Sequence, residues 1–596
     1  MPSLIPDDLR DLNLAPPNWN WRNHQKTVAE RIEASDKKII LLELEPGSGK
    51  SVIPPSVITA MGKTGLILVQ TRQLERQYLR DFESMVMMEG RRHFDCEITG
   101  KYADTGPCTI GVKCDYAGKY TGLDAFAPTC PYYIQKFAAR SAEITVHNYS
   151  YWLRESQSPF SVFADRDWIV CDEAHEIDQI LMAAGEVRLR KDTIKMLKLP
   201  SVPNKRKDLT AWRNWSIRTY DALLTQISSL HDQAEKHGIK LRHQQLELRD
   251  EADAKEIEGW EDDILNADDE VEEAFDITKI SAVAMDIINR IKHATEMRDL
   301  ISTLSTLTDE EIEDEWVPAH EEKHYVFKPI YGKYAFDRIR QRAGEKVILM
   351  SAFLAPEMLA ETLGLEEDEY EVIVGGEIFD RTNSPVLYCP TVRMNNRATD
   401  KQWEYAVFAM DQILNEFKDV KGLIHVPSYK LRNRILAQSK HTDRFITYGK
   451  MGERTKDEAL LDFAKVGSRS DSVLLGQSIS TGVDLPYIPK FNIVFKLAFP
   501  STQDPAIKKR MEVDKQFLSF RTICELVQAT GRIKRAPDDG GPTIILDATF
   551  DSWFWAANKQ HFPIWFRKAL RKDGWRTFPE IAKTRKRDAF KFRVLL

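Results

Sequence analysis

Residues 37–51 read KKIILLELEPGSGKS and indicate the class of fold to which the chain belongs. An apolar strand ends at Pro46, and a glycine-rich turn then leads into a lysine and a serine, which is the order of residues in a phosphate-binding loop. Glycines in such a turn let backbone N–H groups approach a polyphosphate, the lysine reaches its β- and γ-phosphates, and the serine holds Mg²⁺. We therefore expect nucleotide to be bound by Gly47, Ser48, Gly49, Lys50 and Ser51.

The loop departs from the full pattern in two places. Leu44 stands where the pattern has its first glycine, and Pro54 and Pro55 occupy the start of the helix that should follow. On its own the stretch is also compatible with an ordinary strand-to-helix turn, so the assignment depends on the motifs that follow it.

Length and composition describe a protein of several globular domains. The chain has 596 residues, of which 42% are hydrophobic and 29% charged, and this length suggests roughly three to five domains. We find no apolar run near the roughly 18 residues of a membrane span and no secretory leader. We therefore expect no membrane partner and a cytoplasmic protein, associated with the nucleoid in a prokaryote or lying in the host cytoplasm if viral.

The net charge of −7 is unevenly distributed. Residues 241–278 carry 15 acidic and 3 basic residues, whereas the tail from Arg567 to Arg593 carries 11 basic and 3 acidic residues. The rest of the chain can therefore present a basic surface to nucleic-acid phosphates, although such a run is also compatible with a solvated face.

Four of the seven cysteines fall within 35 residues, with the spacing C-x11-C-x5-C-x15-C. Four thiolates without paired histidines could bind zinc or a cubane iron–sulfur cluster. Zinc sites usually contain short C-x2-4-C pairs, so the spacing favours iron–sulfur over zinc and over four unliganded thiols. The candidate metal ligands are Cys96, Cys108, Cys114 and Cys130.

Two segments flank the loop with candidate ligand contacts. Gln25 lies just upstream, and an amide can pair with both a donor and an acceptor on the edge of adenine. A second strand, residues 65–70, ends at Thr71 and Arg72, and parallel sheets bind ligands at the carboxyl ends of their strands. Arg72 could contact a nucleic-acid phosphate or be an ordinary arginine at a helix start.

A later strand, residues 168–171, leads directly into Asp172 and Glu173. Nucleotide hydrolysis requires such a pair, because one carboxylate holds the Mg²⁺ shell and the other orients and deprotonates the attacking water. We expect Asp172 to take the first role and Glu173 the second.

Residues 185 to about 330 interrupt the alternation of strands and helices. The segment is acidic, mostly helical in pattern and far longer than a loop, so we interpret it as an inserted helical domain without strand alternation. The sheet pattern resumes at residues 347–356, VILMSAFLAP.

A second alternating domain begins near Pro385. Its predicted strands, at residues 423–426, 445–448, 473–476, 493–497 and 543–546, are separated by helices, which predicts another parallel sheet. Gln528, Arg532 and Arg535 share one helix face near its end. Arginines on a second domain can complete a phosphate site on the first when the cleft closes.

Taken in order, these motifs resemble those of the XPD/DinG type of superfamily 2, the iron–sulfur helicases. The resemblance extends from about Trp21 to Phe550 and includes the four cysteines and the helical insertion. Its motifs are EPGSGKS (45–51), VQTRQL (69–74), HNY (147–149), VCDEAH (170–175), LMSAFL (349–354), GLIHVPSY (422–429), SISTGVDLP (478–486) and QATGRIKR (528–535).

The resemblance implies an α/β protein with two RecA-like parallel-sheet motor domains, the first interrupted by an iron–sulfur domain and a helical arch domain. The expected limits are 1–89, 139–184 and 331–384 for motor domain 1, 90–138 for the iron–sulfur domain, 185–330 for the arch, and 385–596 for motor domain 2 with the basic tail.

The resemblance also implies roles for individual residues. Lys50 and Ser51 would bind ATP and Mg²⁺, Asp172 and Glu173 would drive hydrolysis, and Gln528, Arg532 and Arg535 would sense the γ-phosphate. Gly482 and Asp484 would, with Ser351, couple nucleotide state to DNA grip. The residues implied to contact nucleic acid are Thr71, Arg72, Tyr149 and Ser428. The four cysteines would hold a [4Fe-4S] cluster.

The expected function is that of an ATP-dependent helicase that travels 5′ to 3′ on single-stranded DNA and unwinds forked DNA, with protein partners recruited through the acidic insertion. Phe353 replaces the threonine of the usual Ser-Ala-Thr motif, and this favours an alternative, a translocase that remodels protein–DNA complexes without strong unwinding. A scaffold with an inactive ATPase is a third hypothesis, which the intact Lys50, Asp172, Glu173 and Arg535 argue against.

Overall fold

The computed structural model describes residues 3–14, 19–110, 116, 128–156, 163, 166–237, 282–449, 454–465, 470–477, 479, 489–534, 536 and 538–578. Several predicted features lie outside these residues: Cys114, Gly482, Asp484, Arg535 and the acidic run 247–276.

The strands fall into three sheets. In chain order they are β1 (Ile39–Glu43), β2 (Gly65–Val69), β3 (Val86–Met88), β4 (Ile144–Asn148), β5 (Arg166–Asp172), β6 (Val187–Arg190), β7 (Trp316–His320), β8 (His324–Pro329), β9 (Ala343–Ser351), β10 (Tyr370–Val374), β11 (Val386–Tyr388), β12 (Gly422–His425), β13 (Phe445–Ile446), β14 (Val473–Gly476), β15 (Phe491–Val494), β16 (Thr543–Ile545) and β17 (Leu570–Arg571).

Helices cover the sheets and form the insertion, and none of the described ones combines the length and apolarity needed to cross a membrane. The α-helices are Asn23–Ala34, Ile53–Ala60, Arg72–Asp81, Pro131–Ser141, Tyr149–Glu155, Ile177–Ala184, Lys191–Met196, Leu209–Lys236, Ala282–Ser305, Asp309–Asp314, Lys333–Arg342, Pro356–Leu363, Asp400–Glu416, Tyr429–Gln438, Lys456–Ala464, Pro505–Val513, Phe517–Gly531, Trp555–Asn558 and Ile564–Ala569.

The first sheet has seven parallel strands in the order β10-β1-β9-β5-β2-β4-β3. Its central strands are apolar runs buried on both faces, as parallel strands covered by helices require. The pairing places Glu43 opposite Ser351 and Asp172 opposite Met350. The carboxyl ends of β1, β5 and β9 therefore meet at one edge, where the phosphate loop begins.

The second sheet also has seven parallel strands, in the order β13-β14-β12-β15-β16-β11-β17. Its core on one face is formed by the helix Asp400–Glu416 packed against β12, β14 and β15. The two parallel sheets predicted from the sequence are confirmed.

The insertion differs from the prediction in one respect. Two long helices, Leu209–Lys236 and Ala282–Ser305, pack together as expected, but β6, β8 and β7 form a three-stranded antiparallel sheet at their base. The segment is mostly helical as expected, but its strands were missed, because β6 pairs with a strand more than 130 residues away in the chain. Trp212 packs against this sheet through Tyr325 and Phe327.

Candidate functional site

The phosphate loop joins β1 to the helix Ile53–Ala60 and has the backbone of a tight turn. Gly47 and Gly49 have positive φ angles of 82° and 75°, a conformation that side chains with a Cβ disfavour. Lys50 and Ser51 lie in the 3₁₀ turn Lys50–Val52 that opens the following helix. The turn therefore presents the lysine and serine to the sheet edge, as the motif predicts.

Gln25 supports this loop from the preceding helix. Its Nε2 donates to the carbonyls of Ser48 (3.0 Å) and Gly49 (3.2 Å), and its Oε1 accepts from the backbone N–H of Arg22 (2.8 Å). A Cβ at position 49 would overlap this amide. Gln25 thus holds the shape of the loop, and its contact with adenine stays a prediction.

Lys50 reaches the carboxylates at the end of β5. Its Nζ lies 2.9 Å from Glu173 Oε1 and 3.7 Å from Asp172 Oδ1. Glu173 itself has a left-handed backbone, with φ of 52°, which is uncommon for a residue with a Cβ and typical of functional turns. The loop and the carboxylate pair, 122 residues apart in the chain, therefore form one group of charges.

Burial and the close charges separate the protonation behaviour of the two carboxyl groups. Burial alone would raise the pKa of Glu173, but the ammonium of Lys50, together with His175 and Arg532, lowers it well below its ordinary value. Burial and the negative charge of Glu173 raise the pKa of Asp172, against the effect of Lys50. Glu173 is therefore the anionic partner of Lys50 in this arrangement.

Tyr78 orients Asp172 and was not identified from the sequence. Its hydroxyl donates to Asp172 Oδ2 (3.0 Å), while the backbone N–H of Glu173 donates to Asp172 Oδ1 (2.8 Å). Tyr78 is 1% exposed, and it lies on the helix that follows Thr71. In the sequence it looks like an ordinary apolar residue one turn after Leu74.

The helix Phe517–Gly531, here named the arginine helix, brings the second sheet to this site. Gln528 Nε2 lies 3.3 Å from Glu173 Oε2, 3.3 Å from His175 Nδ1 and 3.4 Å from Ser351 Oγ. Ser351 Oγ is 2.8 Å from the same His175 nitrogen. A single hydrogen-bond network therefore links the carboxylates, the end of β9 and the second sheet.

The end of the arginine helix also touches the phosphate loop. A Cβ on Gly531 would overlap the ring of Pro46, so glycine permits this close approach. The next residue, Arg532, is 9% exposed. Its positive charge lowers the pKa of Glu173 and opposes the raised pKa of Lys50. The structure thus brings Gln528 and Arg532 to the loop across the cleft between the sheets.

The residues expected to contact nucleic acid are less uniform. Thr71 and Ser428 cap the helices that follow β2 and β12, each accepting a hydrogen bond from a backbone N–H three residues later. Arg72 contacts His93. Tyr149 is 1% exposed, and its hydroxyl donates to the carbonyl of Asp172 (3.1 Å), so its side chain lies beneath β5 and not on a surface open to nucleic acid.

Three of the four predicted metal ligands are described and lie together. Cys96 and Cys130 share one small buried cluster with Tyr132, and the sulfurs of Cys96 and Cys108 both lie within 4 Å of the point where a Cβ on Gly106 would be. Arg91 Nη1 lies 3.0 Å from Cys108 Sγ. The described cysteines form no disulfides, so the thiols of Cys96, Cys108 and Cys130 are available as soft ligands.

Hydrogen bonds from neighbouring residues act on the pKa of the Cys96 thiol. Burial would raise its pKa, but hydrogen bonds from the side chain and backbone of Thr99 and the backbone of Ile98 lower it overall. Thiolates are the metal-binding form of cysteine. Among the described residues, however, no group of three metal-binding side chains has the geometry of a metal site, and the fourth cysteine is outside them.

Phe353 lies at the interface between the two sheets. It is 4% exposed and packs in a hydrophobic cluster whose other members include Phe517 and Phe520 of the arginine helix. The position expected to carry a hydroxyl therefore makes an apolar contact with the second motor domain.

Two family models match the chain. One, described as the helicase C-terminal domain, matches residues 412–569, and the other, described as the res subunit of type III restriction enzymes, matches residues 18–195. The first contains the arginine helix and the second contains the phosphate loop and the carboxylate pair. The matches therefore cover both sides of the candidate site.

Known proteins similar to the chain are helicases. A probable ATP-dependent helicase of Methanocaldococcus jannaschii is 20% identical, over 87% of this chain and 90% of that protein. A solved XPD helicase structure has 17% identity and a TM-score of 0.55, covering 93% of this chain and 99% of its own, and an XPD apo structure has 16% identity and a TM-score of 0.50, covering 90% and 98%. The chain is thus similar to helicases in its motifs, in both family models and in this relative, and it shares the fold of the XPD structures, with two RecA-like parallel-sheet domains and inserted domains.

Proposed function

We propose that the chain is an ATP-dependent DNA helicase that moves 5′ to 3′ on single-stranded DNA and separates the duplex ahead of it. One observation carries the proposal: Gln528, on the arginine helix of the second domain, contacts Glu173 and Ser351 at the edge of the first sheet, directly beside Lys50. A nucleotide placed in this cleft would touch both motor domains, so its hydrolysis would change their relative position.

The contacts support a sequence of events in the cleft. A bound triphosphate competes with Glu173 for Lys50, because the phosphates carry more negative charge than one carboxylate. Release from Lys50 frees Glu173 to orient and deprotonate the attacking water, while Asp172, held by Tyr78, and Ser51 hold the Mg²⁺ shell. Arg532, with Arg535, then neutralises charge developing on the transferred phosphoryl group.

Coupling to DNA would pass through the network at His175. Loss of the γ-phosphate removes the attraction that holds the arginine helix closed, and Gln528 then moves relative to Ser351 and Glu173. We propose that Thr71, Arg72 and Ser428, at strand ends on the two domains, grip and release single-stranded DNA as the cleft opens and closes. Ser351, with Gly482 and Asp484, would couple this grip to the nucleotide state.

Cys96, Cys108, Cys114 and Cys130 would hold a [4Fe-4S] cluster in the inserted domain. The segment contains the short 3₁₀ turns Arg91–His93 and Ala103–Thr105. When bound, the cluster would cross-link this segment and supply a redox-sensitive centre. Arg91 lies over the ring of Tyr132 at 4.3 Å and next to Cys108, so it would lie beside one thiolate ligand and offset part of its charge.

The proposal is tested by strand displacement from a labelled duplex that carries either a 5′ or a 3′ single-stranded tail. The reaction contains ATP and Mg²⁺, and the protein is purified without oxygen. We expect displacement only from the 5′ tail, and none with Lys50→Ala. Displacement only from the 3′ tail would contradict the direction. Absence of displacement from both tails, with ATP hydrolysis that DNA does not stimulate, would contradict the helicase assignment.

A second candidate is a translocase that remodels protein–DNA complexes, and Phe353 favours it. The phenylalanine replaces a polar coupling group with an apolar contact to the arginine helix. This contact would favour closure of the cleft over the coupling of ATP hydrolysis to strand separation. ATP hydrolysis stimulated by DNA, without displacement from either tail, would support this candidate. Partner binding through the acidic insertion, residues 247–276, is proposed for either activity.

A further inference from the structure

Arg521 occupies a position at the site that none of the motifs includes. It lies on the arginine helix and is 3% exposed, yet its guanidinium reaches into the first motor domain. Nη2 lies 2.9 Å from Glu176 Oε2, and Nη1 lies 3.3 Å from Asp178 Oδ1. Nη1 also donates to the backbone carbonyl of His175.

These partners directly follow the carboxylate pair in the chain. After Glu173 the backbone makes the 3₁₀ turn Ala174–Glu176, and the helix Ile177–Ala184 follows without a break. A left-handed residue followed by a short turn is not fixed by regular backbone hydrogen bonds alone. Arg521 therefore binds the segment whose conformation determines where Glu173 points.

The charges agree with this geometry. Burial would lower the pKa of Arg521, but Glu176 and Asp178 raise it above its ordinary value. Glu176 Oε1 and Asp178 Oδ2 are buried without a hydrogen-bond partner among the described residues. Loss of the arginine would remove the positive charge that hydrogen-bonds to these two buried carboxylates, which is costly in a protein interior.

The position of Arg521 on its helix makes the contact informative. Arg521 and Gln528 are seven residues apart, close to two turns of an α-helix, so both face the same side. The first contacts Glu176 and Asp178, and the second contacts Glu173 and His175. The arginine helix is thus attached to one segment, residues 173–178, at two points.

We propose that Arg521 is a positioning residue for ATP hydrolysis: its fork of hydrogen bonds to Glu176, Asp178 and the His175 carbonyl sets the register of the arginine helix against the carboxylate segment. This register places Gln528 on Glu173 and brings Arg532 to the γ-phosphate. The inference rests on the proposed ATPase and names a residue through which this chain assembles it.

Arg510 provides a matched control within the same domain. It is 1% exposed and also crosses to the first motor domain, where it lies over the ring of Tyr331 (4.0 Å) and donates to Thr362 Oγ1 (2.8 Å). Its hydrogen bonds within the described chain go to Thr362 and Asp514, not to residues 173–178. The two arginines thus share burial and domain crossing, and the charge of each opposes the raised pKa of Asp178. They differ in that only Arg521 makes hydrogen bonds to the segment 173–178.

The experiment compares Arg521→Lys and Arg521→Met with Arg510→Lys and Arg510→Met. We expect kcat for DNA-stimulated ATP hydrolysis to fall about 100-fold in R521M and about 10-fold in R521K, since small misplacements remote from the chemistry have effects of this size. The Kd for a fluorescent ATP analogue should stay within about threefold, because Lys50 and the loop are intact. Both Arg510 variants should keep kcat within about threefold of wild type.

Two kinetic outcomes would overturn the proposal: equal losses of kcat at positions 510 and 521, which would indicate general domain adhesion, or wild-type kcat in folded R521M. If R521M does not fold, R521K decides, because lysine keeps the charge and loses the fork.

Hydrogen exchange separates this inference from the proposed function. R521K should raise exchange of backbone amides in residues 177–184, whereas R510K should not, and this readout does not depend on any activity. Unchanged exchange in R521K would refute the positioning role even with an active enzyme. An inactive wild type with increased exchange in R521K would refute the proposed function and support the contact.

Discussion

Glu43 offers a quantitative test of the packing at the sheet edge. It ends β1, is only partly exposed, and its Oε2 accepts a hydrogen bond from the backbone N–H of Leu354 (3.0 Å). Burial raises the pKa of Glu43 from an ordinary 4.5 to about 7, and the Leu354 hydrogen bond opposes this only in part. The perturbation is Glu43→Gln, which removes the titration while keeping an oxygen to accept from Leu354.

The sign and size of the effect follow from linkage. Because the folded-state pKa is raised, the carboxyl group contributes stability that is fully present below about pH 4.5 and is lost as pH rises through about 7. A shift of this size corresponds to about 3 kcal/mol at 1.36 kcal/mol per pH unit, an upper value because the group keeps some solvent contact. The Glu43→Gln protein should therefore gain up to about 3 kcal/mol over wild type between pH 4.5 and pH 8.

Thermal unfolding of the two proteins in parallel measures the difference. For a domain of roughly 150–250 residues, about 3 kcal/mol corresponds to roughly 6–12 °C in Tm. The difference in Tm between Glu43→Gln and wild type should therefore be larger by that amount at pH 8 than at pH 4.5. Glu75, whose pKa burial also raises to about 7, is present in both proteins and cancels. The control is the exposed Glu367→Gln. A Tm difference that is equal at both pH values would show that the pKa of Glu43 is not raised in the folded protein.

Three further predictions concern the site and its interface. Tyr78→Phe removes the hydrogen bond to Asp172 and should lower kcat about 10-fold and raise the Mg²⁺ concentration needed for half-maximal ATPase, measured by titration with Mg²⁺; unchanged Mg²⁺ dependence would contradict it. Phe353→Ala should cost about 3–5 kcal/mol at the interface and split the calorimetric unfolding transition in two. The control Phe463→Ala, inside the second domain, should only lower the transition temperature. A single transition in Phe353→Ala would count against the interface. Cys130→Ser should lower the iron and sulfide content of protein purified without oxygen, and full iron content would remove Cys130 from the ligand set.

The fold was predictable where burial makes strands continuous apolar runs. The predicted strand at 473–476 matches β14, and those at 65–70 and 543–546 differ from β2 and β16 by one residue. The antiparallel sheet of the insertion was not predictable, because β6 is short and alternating and its partner lies beyond two long helices.

The site divides in the same way. Lys50, Asp172, Glu173 and Gln528 were predictable as candidates because each belongs to a motif whose chemistry requires that residue type. In the structure Lys50 lies within ion-pair distance of both carboxylates, and Gln528 lies within hydrogen-bond distance of Glu173. Arg521 has no local signal, since its role depends on a contact between residues more than 340 positions apart in the chain.

We propose that the cleft between the two sheets hydrolyses ATP in response to single-stranded DNA. The most direct measurement is steady-state ATP hydrolysis with and without single-stranded DNA, for wild type and Glu173→Gln, alongside nucleotide affinity. We expect DNA to stimulate ATP hydrolysis by the wild type, and we expect Glu173→Gln to lose at least about 100-fold of this activity while it still binds nucleotide. Undiminished hydrolysis in Glu173→Gln would contradict it.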